Sequence, residues 1–240
     1  MERTLFVFEG EKRERQYFQS IKNAFFSEEG SHVLVSFNND IYELYKELAS
    51  DEDLDPFEVI RELNPVVRCQ EELSRLRRDQ IGQIYLFFDM EPCDEQYSDE
   101  KLIKMLELFN NETEHGKLFI SYPMVEALRD IDDHAEYLTR TAALSDCYGK
   151  FYKRWSAERG GKAYQNASKI DRTLWQGLVS ANVKKANFIV GGEFSSMPVL
   201  DSLPIAKNQL EFYLSNGEVA VLSAFPIFLA DYYGQKIYEI

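Results

Sequence analysis

The sequence predicts an α/β fold in which a mainly parallel central sheet is flanked by helices and followed by a mostly helical C-terminal half. Short apolar segments alternate with helical patterns through the first half of the chain, as in parallel sheets built with right-handed crossovers. The segment over residues 84–88 is apolar without interruption, which is typical of a central strand covered on both faces. Helical spacing dominates from residue 127 to about residue 185.

Each predicted element rests on its own spacing of apolar residues. In the first half the sequence predicts strands over 4–9, 32–37, 84–88 and 117–123. The predicted helices between them are one after the turn at Gly10, one over 41–48, two within 57–80 and one over 98–109. Asn38, Asn39 or Asp40 would cap the helix over 41–48, and Pro65 lies near the break between the two helices within 57–80. The second half predicts helices within 127–185, a short strand over 188–190, and helices over 203–214 and 220–233. We expect a core over residues 1–130 and a mainly helical extension over residues 131–240 packed on it.

Composition indicates a globular protein that folds without cross-links. The chain has 240 residues, of which 45% are hydrophobic, enough to bury a full core. Cys69, Cys93 and Cys147 are odd in number and far apart, and the three histidines are scattered, so neither a disulfide framework nor a zinc site is expected. No apolar run is long enough to span a membrane and residues 1–8 lack the regions of a signal peptide, so we expect a cytoplasmic location.

The formal net charge of −14 opposes non-specific binding of nucleic acid, but the charge is unevenly distributed. Residues 148–190 carry nine basic side chains against two acidic ones, interleaved with aromatic residues. Such a stretch can follow a phosphate backbone and stack bases, and it can equally be a solvated helical face whose aromatic residues point into the core. The candidate nucleic-acid-binding residues are Lys150, Lys153, Arg154, Lys162 and Lys169.

Acidic residues follow three of the predicted strands. Glu9 follows the first strand, Asp89 and Glu91 follow the central one, and Glu126 lies three residues after Pro123. An acidic residue after a strand is individually an ordinary loop or cap residue. Together these four residues meet at one edge, because the carboxyl ends of parallel strands lie side by side. Alternation along a strand would direct residues 89 and 91 to the same side, where carboxylates can hold Mg²⁺ without Cys or His ligands.

Two segments carry a family resemblance. "FEGEKRERQYF", with Glu9, Gly10, Lys12 and Glu14, resembles the opening motif of RloB-like and related OLD-type toprim proteins, many of which belong to bacterial phage-defence systems. "SYPMVEALRD" resembles the segment that follows the last core strand in that group. The similarity covers roughly residues 4–130 and implies a toprim-like (Rossmannoid) arrangement of the central sheet. The second acid of the usual Asp-x-Asp pair is Glu91 here, and the chain contains no nucleotide-binding G-x-x-x-x-G-K-[ST] loop.

The resemblance implies a metal-dependent nuclease acting on DNA or RNA, including transfer RNA, as an effector of antiviral defence. In this hypothesis Asp89 and Glu91 hold Mg²⁺ or Mn²⁺ against the scissile phosphate. Glu9 completes the metal shell or acts as general base or acid, and Glu126 binds a second ion. Lys12 neutralises charge on a phosphate oxygen, aided by the Gly10 turn and the helix N-terminus.

Two other functions use the same residues. A non-catalytic toprim-fold sensor would bind a phage-derived trigger or a companion ATPase, and the acidic surface favours a protein partner. A nucleotide phosphohydrolase would use the carboxylates and not the basic stretch. Neutralising the basic candidates distinguishes these functions, because cleavage of a polymer depends on phosphate contacts far from the metal.

Overall fold

The computed structural model describes residues 2–26, 32–38, 41–51, 53–64, 71, 73–197 and 201–239. Within these residues the fold is α/β, with a mostly parallel five-stranded sheet flanked by helices, as predicted. The predicted cap residues Asn39 and Asp40, the break at Pro65, and Cys69 lie outside the described residues. No helix in the described part of the chain is both long and apolar enough to cross a membrane.

The main sheet has the strand order β2-β1-β3-β5-β4. Its strands are β1 (Arg3–Phe8), β2 (His32–Ser36), β3 (Ile81–Asp89), β4 (Asn110–Asn111) and β5 (Gly116–Ser121). The first three and β5 are parallel, and the short edge strand β4 pairs antiparallel with β5. The chain leaves β1 toward β2 and leaves β3 toward β5, so the two central strands connect outward in opposite directions. Such a change of direction opens a crevice at the carboxyl ends of the strands.

The α-helices whose bounds the structure describes are α1 (Arg13–Phe25), α2 (Ile41–Ser50), α3 (Pro56–Leu63), α4 (Asp99–Leu108), α5 (His134–Tyr137), α6 (Phe151–Arg159), α7 (Arg172–Gly191), α8 (Ser202–Asn208) and α9 (Ala224–Tyr233). Local chemistry fixes several starts. The Asp55 carboxylate accepts the first free N–H groups of α3, and Ser98 caps α4 as the sequence predicts. Short 3₁₀ turns fill many of the connections, including Val125–Arg129 after β5.

Aromatic side chains on one face of the sheet form the centre of the core. Phe87 of β3 stacks on Phe225 of α9, with ring centroids 4.9 Å apart, and contacts Phe8 of β1 at 5.5 Å. Phe228 of α9 meets Phe87 edge-on at 5.2 Å and also contacts Phe119 of β5. Because side chains alternate along a strand, these rings share one face. The helix near the C-terminal end of the described chain therefore covers strands from its first half.

Two predictions about the second half are wrong, and a third is correct only in part. Residues 188–190 lie in the last turn of α7, whose C-cap Gly192 has a φ of +75°; glycine adopts this left-handed conformation without strain. Residues 220–233 are not one helix, because β7 (Glu218–Ala220) pairs with β6 (Thr141–Ala143) before α9 begins. Residues 203–214 are helical as predicted but do not form one α-helix, because α8 ends at Asn208 and a π-helical turn over Gln209–Tyr213 follows.

Candidate metal centre

The candidate site lies at the carboxyl ends of β1 and β3, the two strands between which the chain changes direction. Glu9 directly follows β1, and Asp89 is the last residue of β3. The backbone N–H of Glu9 donates to the carbonyl of Phe87 at 3.1 Å, which continues the ladder one residue past β1. The strand pairing thus brings together two acids that are 80 residues apart in the sequence.

Three carboxylates meet at this edge. One carboxylate oxygen from each of Glu9, Asp89 and Glu91 lies within 4.8 Å of the other two, and all three residues are partly buried. The backbone N–H of Asp89 donates to Oε2 of Glu9 at 2.8 Å, which fixes the Glu9 side chain across the strand boundary. Partly buried carboxylates at this separation repel one another and favour a shared cation.

Glu91 reaches the site by a different route from the one its spacing predicts. The strand ends at Asp89, so strand alternation does not orient residue 91. Instead Glu91 has a φ of +42°, and a turn follows in which the Asp94 N–H donates to the Glu91 carbonyl at 2.9 Å. Positive φ is uncommon for a residue with a side chain and costs energy. The prediction that residues 89 and 91 lie together is correct, but its reason is wrong.

Asn38 is the second non-glycine residue with positive φ among the described residues, at +53°. Its N–H donates to the Glu9 carbonyl at 2.8 Å, and it lines the same cleft as the three acids. Backbone strain of this kind persists where the surrounding structure imposes it, and it concentrates at functional sites. One of the two positive-φ residues therefore belongs to the carboxylate cluster, and the other lines the same cleft.

The cleft above the three acids has a volume of about 520 Å³ and contains further acids. Glu126, from the 3₁₀ turn after β5, is 5% exposed, and its Oε2 has no hydrogen-bond partner in the described part of the chain. Glu14 of α1 also lines the cleft and accepts the Gly10 N–H on Oε1 at 3.2 Å. A buried carboxylate oxygen without a donor is costly, and a cation in the cleft would satisfy it.

The electrostatics of the cleft raise the pKa values of two of its acids, Asp89 and Glu14. Burial, followed by the charge of Glu9, raises the pKa of the Asp89 carboxyl well above its usual range. Burial also raises the pKa of Glu14, although hydrogen bonds to backbone N–H groups oppose this shift. The Tyr17 hydroxyl is buried beside these groups, and burial raises its pKa to about 12. In the absence of a cation, the cleft therefore disfavours the ionised forms of Asp89 and Glu14.

Two lysines line the cleft with these acids. Lys12 precedes α1, and Lys153 comes from α6. Lys153 is positioned through its backbone, because its carbonyl accepts from Nη2 of Arg129, while Nε of Arg129 donates to Ser156 Oγ at 3.1 Å. Arg129 thus fastens α6 to the turn that carries Glu126. The Gly10 N–H is already bonded to Glu14, so the predicted aid of the Gly10 turn to phosphate binding is not seen.

The remaining basic candidates lie elsewhere. Lys150 and Arg154 are exposed at the start of α6, with Arg154 3.8 Å from Glu158. Lys162 is exposed, and it lines neither the cleft nor a second, smaller cavity that adjoins the cleft. Lys169 lines a separate pocket beside Ala24, near the far end of α1, which is about 20 Å long.

Part of the basic stretch is not available to a ligand. The Arg159 guanidinium donates to both oxygens of buried Asp130, at 2.6 and 2.5 Å. Lys185 is buried and donates to the Tyr137 carbonyl at 2.8 Å. The positive charge counted along residues 148–190 therefore overstates the charge that the surface presents.

The sequence-based interpretation assigned neither Glu14 nor Asn38 a role in the site, and it assigned Lys153 to nucleic-acid binding rather than to the metal cleft. Glu14 was recognised only as an acidic residue of the opening motif, and its position in the cleft depends on its hydrogen bond with the Gly10 N–H. Asn38 and Lys153 reach the cleft through strand order and helix docking, which no local pattern encodes. The ligand set is made of carboxylate oxygens, which suits Mg²⁺ or Mn²⁺.

Comparison of the chain with protein-family models, with curated proteins and with solved structures finds no match.

Proposed function

We propose that this protein is a metal-dependent nuclease that hydrolyses phosphodiester bonds of DNA or RNA with Mg²⁺ or Mn²⁺. The observation that carries the proposal is the convergence of Glu9, Asp89 and Glu91 within 4.8 Å at a sheet edge. The unpartnered Glu126 oxygen and two lysines in the same cleft support it. The resemblance of the opening segment to RloB-like toprim proteins further suggests an effector of bacterial anti-phage defence, acting alone or with a partner ATPase.

The carboxylates of Glu9, Asp89 and Glu91 would hold the first cation, and Glu126 would supply an oxygen to a second. A bound divalent cation would polarise the phosphoryl oxygens and lower the pKa of a coordinated water. Glu9 is fixed by the Asp89 N–H through one oxygen, so its carboxylate is held in place as a ligand or as a proton acceptor.

Lys12 and Lys153 would neutralise the charge that develops on the phosphate during hydrolysis. Both are on the cleft wall, and among the described residues neither ammonium group forms an ion pair within 4 Å. Both side chains are exposed, and a cation beside the reacting phosphate stabilises the charge that develops in the transition state. Cleavage should therefore depend on these lysines more strongly than cation binding does.

The test is cleavage of pooled DNA and RNA substrates in Mg²⁺ and in Mn²⁺ by the parent protein and by Glu9→Gln and Asp89→Asn. Loss of one metal-binding carboxylate should reduce cleavage by at least about 100-fold, because it removes stabilisation of a developing charge. Glu193→Gln, which removes an exposed carboxylate that lines neither cavity, serves as the control and should cleave like the parent.

Cation binding is measured separately by titration calorimetry with Mn²⁺. Weaker Mn²⁺ binding by both variants, together with loss of cleavage, would support the proposal. Cleavage that persists in chelator, or that survives Asp89→Asn, would refute it. Mn²⁺ binding without cleavage of any substrate would instead favour a partner-activated enzyme or a sensor.

A further inference from the structure

A second, smaller cavity adjoins the metal cleft. It has a volume of about 190 Å³ and shares two lining residues with the cleft, Glu91 and Lys153. Because Glu91 belongs to the carboxylate cluster, a group in the smaller cavity lies directly beside the candidate metal position. We call this cavity the Tyr148 pocket, after the exposed aromatic residue that lines it.

One side of the Tyr148 pocket suits a flat ring system. Cys93, Cys147 and Met124 line it together with Tyr148, and Asp94 and Gly149 complete the wall beside the two shared residues. Burial raises the pKa of the Cys147 thiol to about 12, so this group is a neutral thiol at physiological pH. Neutral sulfur atoms and an aromatic ring are polarizable partners for a planar ring system.

Tyr148 is 59% exposed although it lies beside a buried core. Large exposed aromatic residues next to cationic ones are typical of surfaces that stack bases. Lys153, on the boundary between the two cavities, is placed to hold a phosphate while a ring enters the pocket.

We propose that the Tyr148 pocket receives the base of the nucleotide adjoining the scissile phosphate, so that the substrate is a nucleic acid with unpaired nucleotides. This inference rests on the proposed nuclease function and specifies its substrate class. The phosphate lies in the metal cleft against Lys153, and the base stacks on Tyr148. A base that is paired within a duplex does not enter such a pocket, because it must first leave the stack.

The exposed face of α6 continues the surface away from the pocket. Phe151 and Trp155 are 52% and 42% exposed and four residues apart, which places them on one stripe of the helix. The Arg154 guanidinium lies 5.7 Å from the centroid of the Phe151 ring, and Lys150 is exposed at the helix start. This combination of rings and cations can bind the neighbouring bases and phosphates of a single strand.

The first test measures affinity without chemistry. Fluorescence anisotropy is recorded for a labelled single-stranded oligonucleotide and for its duplex, with chelator present so that no cleavage occurs. We expect the parent to bind the single strand more tightly than the duplex. Tyr148→Ala should weaken single-strand binding by roughly 5- to 100-fold, whereas Tyr148→Phe, which keeps the ring, should bind like the parent.

Phe212→Ala is the matched control, because it removes an equally exposed ring that lines neither cavity. It should leave the affinity unchanged. Equal affinity of the parent for single strand and duplex would overturn the inference. So would unchanged single-strand affinity in Tyr148→Ala.

A second readout uses the two tryptophans. Trp155 is exposed and Trp175 is fully buried, so quenching of tryptophan emission by an unlabelled single strand reports contact at α6. We expect quenching in the parent and its loss in Trp155→Phe. Quenching that persists in Trp155→Phe would place the strand elsewhere and contradict the path along α6.

The two proposals fail in different ways. Cleavage of duplex DNA with no dependence on Tyr148 would refute the base pocket and leave the nuclease standing. Tyr148-dependent binding of single strands without any metal-dependent cleavage would refute the nuclease and leave a protein that binds unpaired nucleic acid.

Discussion

At the scale of single residues, the carboxylate of Asp89 is held in an environment that opposes its charge. It is at the end of a buried strand, next to Glu9 and close to Glu14 and Glu126. Repulsion between these carboxylates favours a bound cation, but it destabilises the folded chain when no cation is present. The raised pKa of Asp89 determines how this destabilisation depends on pH.

The folded chain retains the Asp89 proton to a higher pH than the unfolded chain, whose pKa is near 4. Between these two pKa values the folded state binds more protons, so the free energy of unfolding falls as pH rises through this window. Asp89→Asn removes the penalty. At pH 8 without divalent cation, the free energy of unfolding of Asp89→Asn should exceed that of the parent by on the order of 1 kcal/mol. Its Tm should be correspondingly higher.

Differential scanning calorimetry at pH 4 and pH 8 checks this, with Glu193→Gln as the control. The advantage of Asp89→Asn should be smaller at pH 4, and Mg²⁺ should raise the Tm of the parent and not that of the variant. A variant that is less stable than the parent at pH 8 in chelator would contradict the raised pKa.

The residues of the site differ in how far the sequence reveals them. Glu9 and Asp89 could be predicted, because an acid at the end of an apolar strand has a defined position once the sheet is parallel. Glu91 was predicted from strand alternation, which ends before it; its place depends on a positive φ that the sequence does not signal. Lys153 depends on the docking of a helix 60 residues further along the chain.

At the scale of elements, the position of α6 decides which cations reach the cleft. Its C-terminal end packs against the turn over Val125–Arg129 so closely that a Cβ added at Gly160 would lie 2.0 Å from the Arg129 carbonyl oxygen. The next residue, Gly161, donates its N–H to the Ile131 carbonyl at 2.7 Å. These contacts and the Arg129 bonds hold α6, with Lys153 and the Tyr148 pocket, against the sheet edge.

Gly160→Ala should displace α6 from this turn and destabilise the fold by about 1 to 3 kcal/mol, as overpacking does. Nucleic-acid affinity should fall, whereas Mn²⁺ binding should persist, because the three carboxylates are on or next to the sheet strands. Chemical denaturation, anisotropy and calorimetry measure the three effects.

Gly191→Ala is the matched control, since a Cβ there meets nothing within 4 Å and the residue ends a helix. It should be neutral or slightly stabilising. If Gly160→Ala weakened Mn²⁺ binding as much as nucleic-acid binding, the three carboxylates would not bind the cation independently of α6, which would contradict this prediction.

Elements were predictable where apolar residues follow one clear period. The strands of the parallel sheet and the helices between them have such a period, and the structure contains them. Residues 220–233 are apolar on every side, so their spacing does not distinguish the end of β7 from the start of α9. The pairing of β6 with β7 joins segments about 75 residues apart, which no local pattern predicts.

At the scale of the whole molecule, the core depends on contacts between the two ends of the described chain. Phe228 of α9 is fully buried and contacts rings from three strands, Phe6 of β1, Phe87 of β3 and Phe119 of β5. The sheet that carries the site is thus covered by residues far beyond the last strand of that sheet.

Phe228→Ala should lower the free energy of unfolding by about 3 to 5 kcal/mol, the cost of removing a fully buried aromatic ring. Urea denaturation followed by fluorescence and by circular dichroism checks this value. Phe212→Ala, on the exposed side, should change stability by less than about 0.5 kcal/mol. A small effect of Phe228→Ala would mean that α9 is not part of the core.

The late position of α9 has a consequence for synthesis in the cell. Domains emerge from the ribosome N-terminal end first, yet the aromatic face of this sheet stays uncovered until residues 224–233 have left the exit tunnel. The acidic residues of the site are translated before α9, so the sheet that positions them is not fully covered until α9 has emerged. A nascent chain that ends before α9 would therefore lack the packing that holds the carboxyl ends of β1 and β3, and with them the three carboxylates, together.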